Sequence, residues 1–153
     1  MRYFEDFGAG DRWTFGPVEM SADRIIAFAR EWDPQRFHVS EEGGRDSIYG
    51  GLIASGLHTM SEVIRLYVEG LLLDTACQGS PGFRNCQFLL PVRPGDSLSA
   101  ELLVRDTAVR AQQPDRGYLS AVVTASNQRS EPVFHLETTL LIACRGASAR
   151  EVG

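Results

Sequence analysis

Residues 52–73 have the sequence LIASGLHTMSEVIRLYVEGLLL, the longest apolar segment of the chain with helical spacing. Glu62, Arg65 and Glu69 lie mostly off the apolar positions. This pattern predicts a long amphipathic helix with one buried face. The apolar residues recur every three or four positions and trace one stripe: Ile53, Leu57, Met60, Ile64, Tyr67 and Leu71.

The C-terminal half of the chain predicts antiparallel strands. Turns are expected at residues 91–96 and 114–117, and a long last strand over residues 133–144. Strands that follow helices indicate an α+β fold, with the long helix packed on one face of the sheet. Two segments alternate apolar with polar residues: Leu98, Ala100, Leu102 and Val104, then Leu119, Ala121, Val123 and Ala125.

A shorter helix is expected before the long one. An extended stretch at residues 13–20 is followed by Ser21, a favourable N-cap. Asp33-Pro34 ends this helix, because proline disfavours helical geometry in the residue before it. Residues 35–51 are expected to form loop and short turns, with Gly43-Gly44 and Gly50-Gly51 as breakers. The helix is indicated by four apolar residues at helical spacing: Ile25, Phe28, Ala29 and Trp32.

Composition narrows the class of protein. The 153 residues suit a single domain, expected to span 1–153 with a core at about 10–145. No apolar run approaches a membrane span, and the N-terminus lacks a secretory pattern, so a cytoplasmic location is expected. The net charge of −5 argues against nucleic-acid binding. The three cysteines are widely spaced, which favours neither a disulfide framework nor a zinc site, and no lysine is present for Schiff-base chemistry.

Asp33 and His38 lie five residues apart, where Pro34 stops the helix. Because the helix ends, the following loop can bring the imidazole back toward the carboxylate. Addition of water to an α,β-unsaturated thioester needs one group at the α-carbon proton and another at the water oxygen. The pair could supply both, although a helix-ending Asp beside a surface His has the same spacing.

Gly50 and Gly51 are expected to open the long helix. Backbone N–H groups at a helix N-terminus can bind a developing negative charge, such as the enolate oxygen of a thioester. The alternative is that these glycines serve only close packing where the helix starts.

Together these segments resemble the MaoC-like acyl dehydratase family, which includes the (R)-specific enoyl-CoA hydratases. The resemblance rests on Asp-x-x-x-x-His at residues 33–38, on GGLIASGLHT at residues 50–59 and on PVRPGD at residues 91–96. It covers nearly the whole chain. Two positions depart from the family pattern: Arg36 replaces a proline found in many hydratases, and Tyr49 replaces a histidine.

The resemblance implies a hot-dog fold, in which a curved antiparallel sheet wraps a long central helix, and a homodimer as the minimal unit. It implies that Asp33 and His38 are catalytic, that Gly50 and Gly51 bind the thioester carbonyl, and that Ser55 supports the pair. The expected reaction is reversible hydration of trans-2-enoyl-CoA to (R)-3-hydroxyacyl-CoA. No metal or redox cofactor is implied, and CoA enters only as part of the substrate.

The remaining polar residues have weaker indications. Arg84 and Arg93 flank the segment expected near the CoA tunnel, so either could meet a phosphate, and solvated surface arginines are an equal alternative. His58 and His135 are expected to be structural. Two other functions stay open: a hot-dog thioesterase with Glu62 as its acidic residue, and a non-catalytic acyl-CoA-binding subunit.

Overall fold

The computed structural model describes residues 1–146, which form a six-stranded antiparallel sheet, four α-helices and two short 3-10 helices at Phe4–Asp6 and Leu72–Asp74. The strands are β1 (Arg12–Met20), β2 (Cys77–Gly79), β3 (Phe83–Phe88), β4 (Asp96–Arg110), β5 (Gln113–Ser126) and β6 (Pro132–Ala143). The helices are α1 (Ala22–Trp32), α2 (Arg36–Val39), α3 (Glu41–Arg45) and α4 (Gly56–Gly70). The last residues of the predicted domain, 147–153, lie outside the described part of the chain.

The sheet has the strand order β1-β4-β5-β6, and β2 and β3 both pair with β6 along its other edge. The predicted alternation is confirmed, because every second residue is buried over residues 96–104 of β4, 117–125 of β5 and 134–142 of β6. One face of the sheet therefore supplies most of the apolar core. Its fully buried side chains include Leu98, Leu102, Leu119, Val123, Leu136 and Ile142.

Helix α4 packs on this apolar face, and Val63 and Tyr67 belong to the same core cluster as the strand residues. The α+β prediction is confirmed: a central helix lies against an antiparallel sheet, which is the hot-dog arrangement. The buried side of the helix also includes Thr59 and Glu62. The expectation that Glu62 lies off the buried face is therefore wrong, and Leu57, expected on it, is 44% exposed.

The long helix is shorter than predicted, because it begins at Gly56 rather than at residue 52. Residues 52–54 are held outside the helix by backbone hydrogen bonds to neighbouring segments. The N–H of Ile53 donates to the carbonyl oxygen of Phe37 at 3.1 Å, and that of Ala54 donates to Val92 at 2.8 Å. The glycine pair at 50–51 therefore precedes the helix without opening it.

Two local predictions, of a loop at residues 35–51 and a turn at residues 114–117, are wrong. Residues 35–51 contain α2 and α3, and Gly43 and Gly44 lie inside α3, where Ser40 caps the Gly43 N–H at 3.0 Å. Residues 114–117 belong to β5, since the β4–β5 hairpin turns at residues 111–112. Within residues 1–146 no helix is both long and apolar enough to cross a membrane.

Gly44 allows α3 to approach the segment that leads into the site. A Cβ at Gly44 would lie 2.3 Å from the Leu52 nitrogen and 2.4 Å from the Gly51 carbonyl carbon, both backbone atoms. We therefore expect Gly44→Ala to destabilise the fold by about 2 kcal/mol in urea unfolding, although the same change stabilises ordinary helices by up to about 1 kcal/mol. Gly8→Ala is the control, because its Cβ would meet only Asp11 Oδ2, at 3.9 Å. Unchanged stability of Gly44→Ala would contradict this account of the packing.

Candidate active site

The end of α1 places Asp33. Ser21 caps the helix start, with its Oγ accepting from the Arg24 N–H, and Ile25 and Ala29 are its buried residues. Asp33 then ends the helix as predicted, and its own N–H donates to the carbonyl oxygen of Ala29 at 2.9 Å. The Asp33 side chain is 21% exposed and lines a cleft.

The short helix α2 brings His38 back to Asp33, as the spacing predicts. His38 is 5% exposed, and its Nδ1 lies 2.8 Å from the carbonyl oxygen of Ile53. Since a carbonyl only accepts, this contact assigns the Nδ1 proton and leaves Nε2 as the proton-exchanging atom. Nε2 lies 3.4 Å from Asp33 Oδ2, which is longer than a hydrogen bond.

The Asp33 carboxylate is held by two further side chains. Ser55 Oγ donates to Oδ2 at 2.6 Å, and Gln35 Nε2 donates to Oδ1 at 2.9 Å. Burial alone would raise the pKa of Asp33, but the hydrogen bonds from Ser55 and Gln35 and the charge of His38 outweigh it. The pKa of Asp33 is therefore lowered, and the group is ionised near neutral pH.

Ser55 does more than support the pair, because it also begins α4. Its side chain is fully buried, and its Oγ accepts the Leu57 N–H at 3.2 Å while donating to Asp33. Gln35 was not among the predicted site residues. Its position two residues after Asp33, just past the proline, is a signal that could have indicated a contact with the carboxylate.

The cleft that holds Asp33 and His38 has a volume of about 550 Å³. Gly56 forms part of its wall, and Phe88 packs so close to this glycine that a Cβ there would lie 2.7 Å from the ring. The cleft therefore joins a polar end to a largely apolar wall, a combination typical of small-molecule sites. Its apolar lining includes Phe37, Ile53, Leu57, Phe88, Leu89, Leu90 and Val133.

The predicted glycine pair lies differently from expectation. The N–H of Gly50 already donates to the carbonyl oxygen of Ser47 at 3.1 Å, and neither Gly50 nor Gly51 is among the cleft-lining residues of the described chain. The prediction that they form the N-terminus of the long helix is wrong, because Ser55 is the N-cap. Gly56, the first residue of α4, occupies that place in the cleft wall.

The two predicted CoA-binding arginines are not brought together. Arg93 Nη2 donates to the carbonyl oxygen of Tyr49 at 2.8 Å, so this side chain holds the loop beside the cleft. Arg84 lies on β3 in a separate depression of the sheet surface, which also includes His135 and Glu137. Their contact with CoA stays a prediction.

Glu62 lies apart from this cleft, in a cluster of charged side chains between α1 and α4. Arg24 and Arg65 both bind its carboxylate, with Arg65 Nη2 at 2.6 Å. Burial would raise the pKa of Glu62, but the two guanidinium groups lower it. His58 is stacked on Phe28, with 4.6 Å between ring centroids, and burial lowers the pKa of His58.

Comparison with known proteins identifies the family. A family model described as a MaoC like domain matches residues 9–125, most of the chain. The chain belongs to the MaoC-like dehydratase family. It is 32% identical over 142 residues to the uncharacterized protein YdeM of Bacillus subtilis, which covers 90% of this chain and 96% of YdeM.

Solved structures agree with the MaoC-like assignment. A MaoC-like dehydratase from Rhodospirillum rubrum superposes with a TM-score of 0.86 at 36% identity, covering 94% of this chain and 97% of that one. An (R)-hydratase from A. caviae has a TM-score of 0.72 at 18% identity, covering 89% and 97%, and shares the fold. The family is therefore one of hydratases and dehydratases. The roles of individual residues in this chain stay predictions.

Ser55→Ala should raise the pKa of Asp33 in this MaoC-like protein, because the hydroxyl binds the ionised carboxylate better than the neutral acid. The measurement is an NMR titration of the Asp33 carboxyl carbon in both proteins. Since the folded-state pKa lies below the ordinary 3.8, ionised Asp33 stabilises the fold above about pH 4, and this is lost as pH falls through the folded value. The variant should lose less stability over that fall. An unchanged Asp33 titration would mean that Ser55 does not hold the carboxylate.

Proposed function

We propose that this MaoC-like protein is a hydro-lyase that reversibly hydrates trans-2-enoyl-CoA to (R)-3-hydroxyacyl-CoA. The observation that carries the proposal is the position of the Asp33 carboxylate. It accepts a hydrogen bond from Ser55 at 2.6 Å and lies 3.4 Å from His38 Nε2, and Asp33 and His38 line the same largely apolar cleft. A buried acid–base pair beside an apolar surface suits addition of water to an acyl thioester.

The two groups supply opposite proton transfers in this proposal. The ionised Asp33 accepts a proton from a water molecule as the water oxygen bonds to the β-carbon. The double-bond electrons move toward the thioester oxygen, and His38 Nε2, when it carries a proton, delivers it to the α-carbon. When the two side chains approach to hydrogen-bonding distance, a proton shift from Asp33 to His38 Nε2 restores the starting state, so the reaction consumes one water and no other reagent.

The negative charge that develops on the thioester oxygen needs a hydrogen-bond donor to stabilise it. We place this oxygen at the N-terminus of α4, where the Gly56 N–H has no intrahelical partner and the helix dipole favours negative charge. The predicted donors Gly50 and Gly51 are less suited, because the Gly50 N–H is already bonded to Ser47. A donor of this kind typically contributes about 10²–10³-fold in kcat.

The thioesterase alternative has no support from the position of Glu62. Both carboxylate oxygens of Glu62 are engaged by arginines, and its side chain is not part of the described cleft that holds Asp33 and His38. A carboxylate so paired is poorly placed to activate water. In the proposed hydration, the proton transfers of Asp33 and His38 involve no metal or redox cofactor, and CoA takes part only as the carrier of the acyl group.

Asp33→Asn and His38→Ala should each lower kcat for hydration of crotonyl-CoA by at least about 10²-fold, roughly 2.7 kcal/mol, because each removes a proton-transfer group. The assay follows loss of the enoyl-thioester absorbance, beside an assay for released thiol. Asp23→Asn is the matched control, since it makes the same change in the exposed first turn of α1. Near-wild-type hydration by a folded Asp33→Asn protein would sink the assignment.

We also propose that the protein forms a homodimer through the β3 edge. All six residues of β3 are exposed, and three apolar residues at its end and just after it have more than two fifths of their surface exposed: Phe88, Leu89 and Leu90. A strand edge with such side chains would pair with another chain unless protected. A second copy presents the same edge, as two-fold symmetry requires.

Light scattering at micromolar concentration should show the mass of two chains. Phe83→Lys places a charge on the β3 edge and should shift the protein toward monomer, whereas Val109→Lys, at the exposed β4 end, should not. Phe83 and Val109 are 45% and 47% exposed, so the two variants place the new charge at positions of similar exposure. A wild-type monomer, or equal effects of both changes, would overturn the interface.

A further inference from the structure

Three contacts join α1 and its C-cap to α4 and its N-cap, spaced three to five residues apart on each side. Arg24 binds Glu62, the Phe28 ring stacks on His58, and Asp33 accepts from Ser55. From one contact to the next the residue numbers rise on α1 and fall on α4, so the two helices run antiparallel. We call these three contacts the rungs of the α1–α4 ladder. The Asp33–Ser55 rung is the one that lies in the cleft.

The two contacts outside the cleft, Arg24–Glu62 and Phe28–His58, each have a well-defined geometry. The Glu62 side chain is only 11% exposed, and Arg65 on the same helix holds one of its oxygens while Arg24 takes the other. The rings of Phe28 and His58 are nearly parallel, with an interplanar angle of 10°. Charge-assisted hydrogen bonds and stacked rings are directional contacts, unlike simple apolar burial.

We propose that Arg24, Phe28, His58 and Glu62 are positioning residues that set the register of α1 on α4 and thereby hold the Asp33 carboxylate on Ser55. This inference rests on the proposed function, in which Asp33 accepts the proton of water. It assigns a role to a charged cluster, centred on the buried Glu62, that the chemistry itself does not use.

Contacts that fix the register of α1 on α4 are needed because little of α1 is buried. Only Ile25 and Ala29 are fully buried on this helix, and a small apolar contact permits sliding and rotation. Any shift of α1 is carried directly to Asp33, since this residue is the C-cap of the helix. A displacement of about 1 Å at a reacting group can cost about 10²-fold in rate, so the register matters to catalysis.

Glu62→Gln should lower kcat about tenfold and leave KM within about twofold, because an amide nitrogen would face a guanidinium and disturb the cross-helix rung. Glu69→Gln is the matched control: Glu69 also pairs with Arg65, but this exposed pair stays within α4. The acid limb of the kcat/KM profile should move to higher pH in Glu62→Gln alone, since Asp33 leaves the hydrogen bond that lowers its pKa.

Arg24→Gln should reproduce the loss seen in Glu62→Gln, and the double variant should be no worse than either one, as expected for one shared contact. Arg24→Lys should recover part of the activity by restoring the charge. If Glu62→Gln abolishes activity while Arg24→Gln leaves it intact, Glu62 acts directly and the ladder is overturned. A lower melting temperature with unchanged kcat would overturn it equally.

A second measurement separates this inference from the proposed function. NMR titration of the Asp33 carboxyl carbon needs no substrate, and it should show a raised pKa in Glu62→Gln but not in Glu69→Gln. Absence of enoyl-CoA hydration by the wild-type protein would refute the proposed function. The Asp33 titration would then still test whether the α1–α4 ladder holds the carboxylate on Ser55. A wild-type Asp33 titration in folded Glu62→Gln would refute the ladder whatever the activity.

Discussion

The hydrogen bond from Ser55 to Asp33, at 2.6 Å, is the contact on which the site depends. It joins the C-cap residue of α1 to the N-cap residue of α4, so it connects a peripheral helix to the one at the centre of the fold. The same hydroxyl accepts the Leu57 N–H. The start of the central helix and the orientation of the carboxylate are therefore determined by one buried atom.

The other half of the site depends on a short piece of extended backbone. Residues 52–54 hydrogen-bond to Phe37 and Val92, which leaves the Ile53 carbonyl oxygen to accept from His38 Nδ1 at 2.8 Å. In a helix that began at residue 52, this oxygen would accept the N–H of residue 57. The late start of α4 thus gives both proposed catalytic groups their partners, Ser55 for Asp33 and Ile53 for His38.

Much of this arrangement could be predicted from the sequence. The alternation in β4 and β5, the Ser21 cap and the proline after Asp33 are local signals, and the elements they predict are present. The convergence of Asp33, His38 and Ser55 was expected from the spacing and the family resemblance. Ser55 lies 22 residues from Asp33 and was expected only from the resemblance, whereas the other features depend on residues close in sequence, where periodicity and capping preferences act directly.

What could not be predicted depends on contacts between distant segments. Apolar residues 52–54 fit helical spacing, and only their bonds to Phe37 and Val92 keep them extended. Glu62 has the charge of a surface residue, yet it is buried because Arg24 arrives from another helix. Periodicity does not contain such partners, and for that reason Glu62 was expected at the surface and the glycine pair at the helix start.

Hydration in oxygen-18-labelled water tests the central claim, that Asp33 and His38 add water to an enoyl thioester. The protein is incubated with crotonyl-CoA, and the products are analysed by mass spectrometry. The account predicts label in a hydroxyl group on the β-carbon of an intact CoA thioester, and loss of that label with Asp33→Asn. Label in a free carboxylate, or in no product at all, would contradict it.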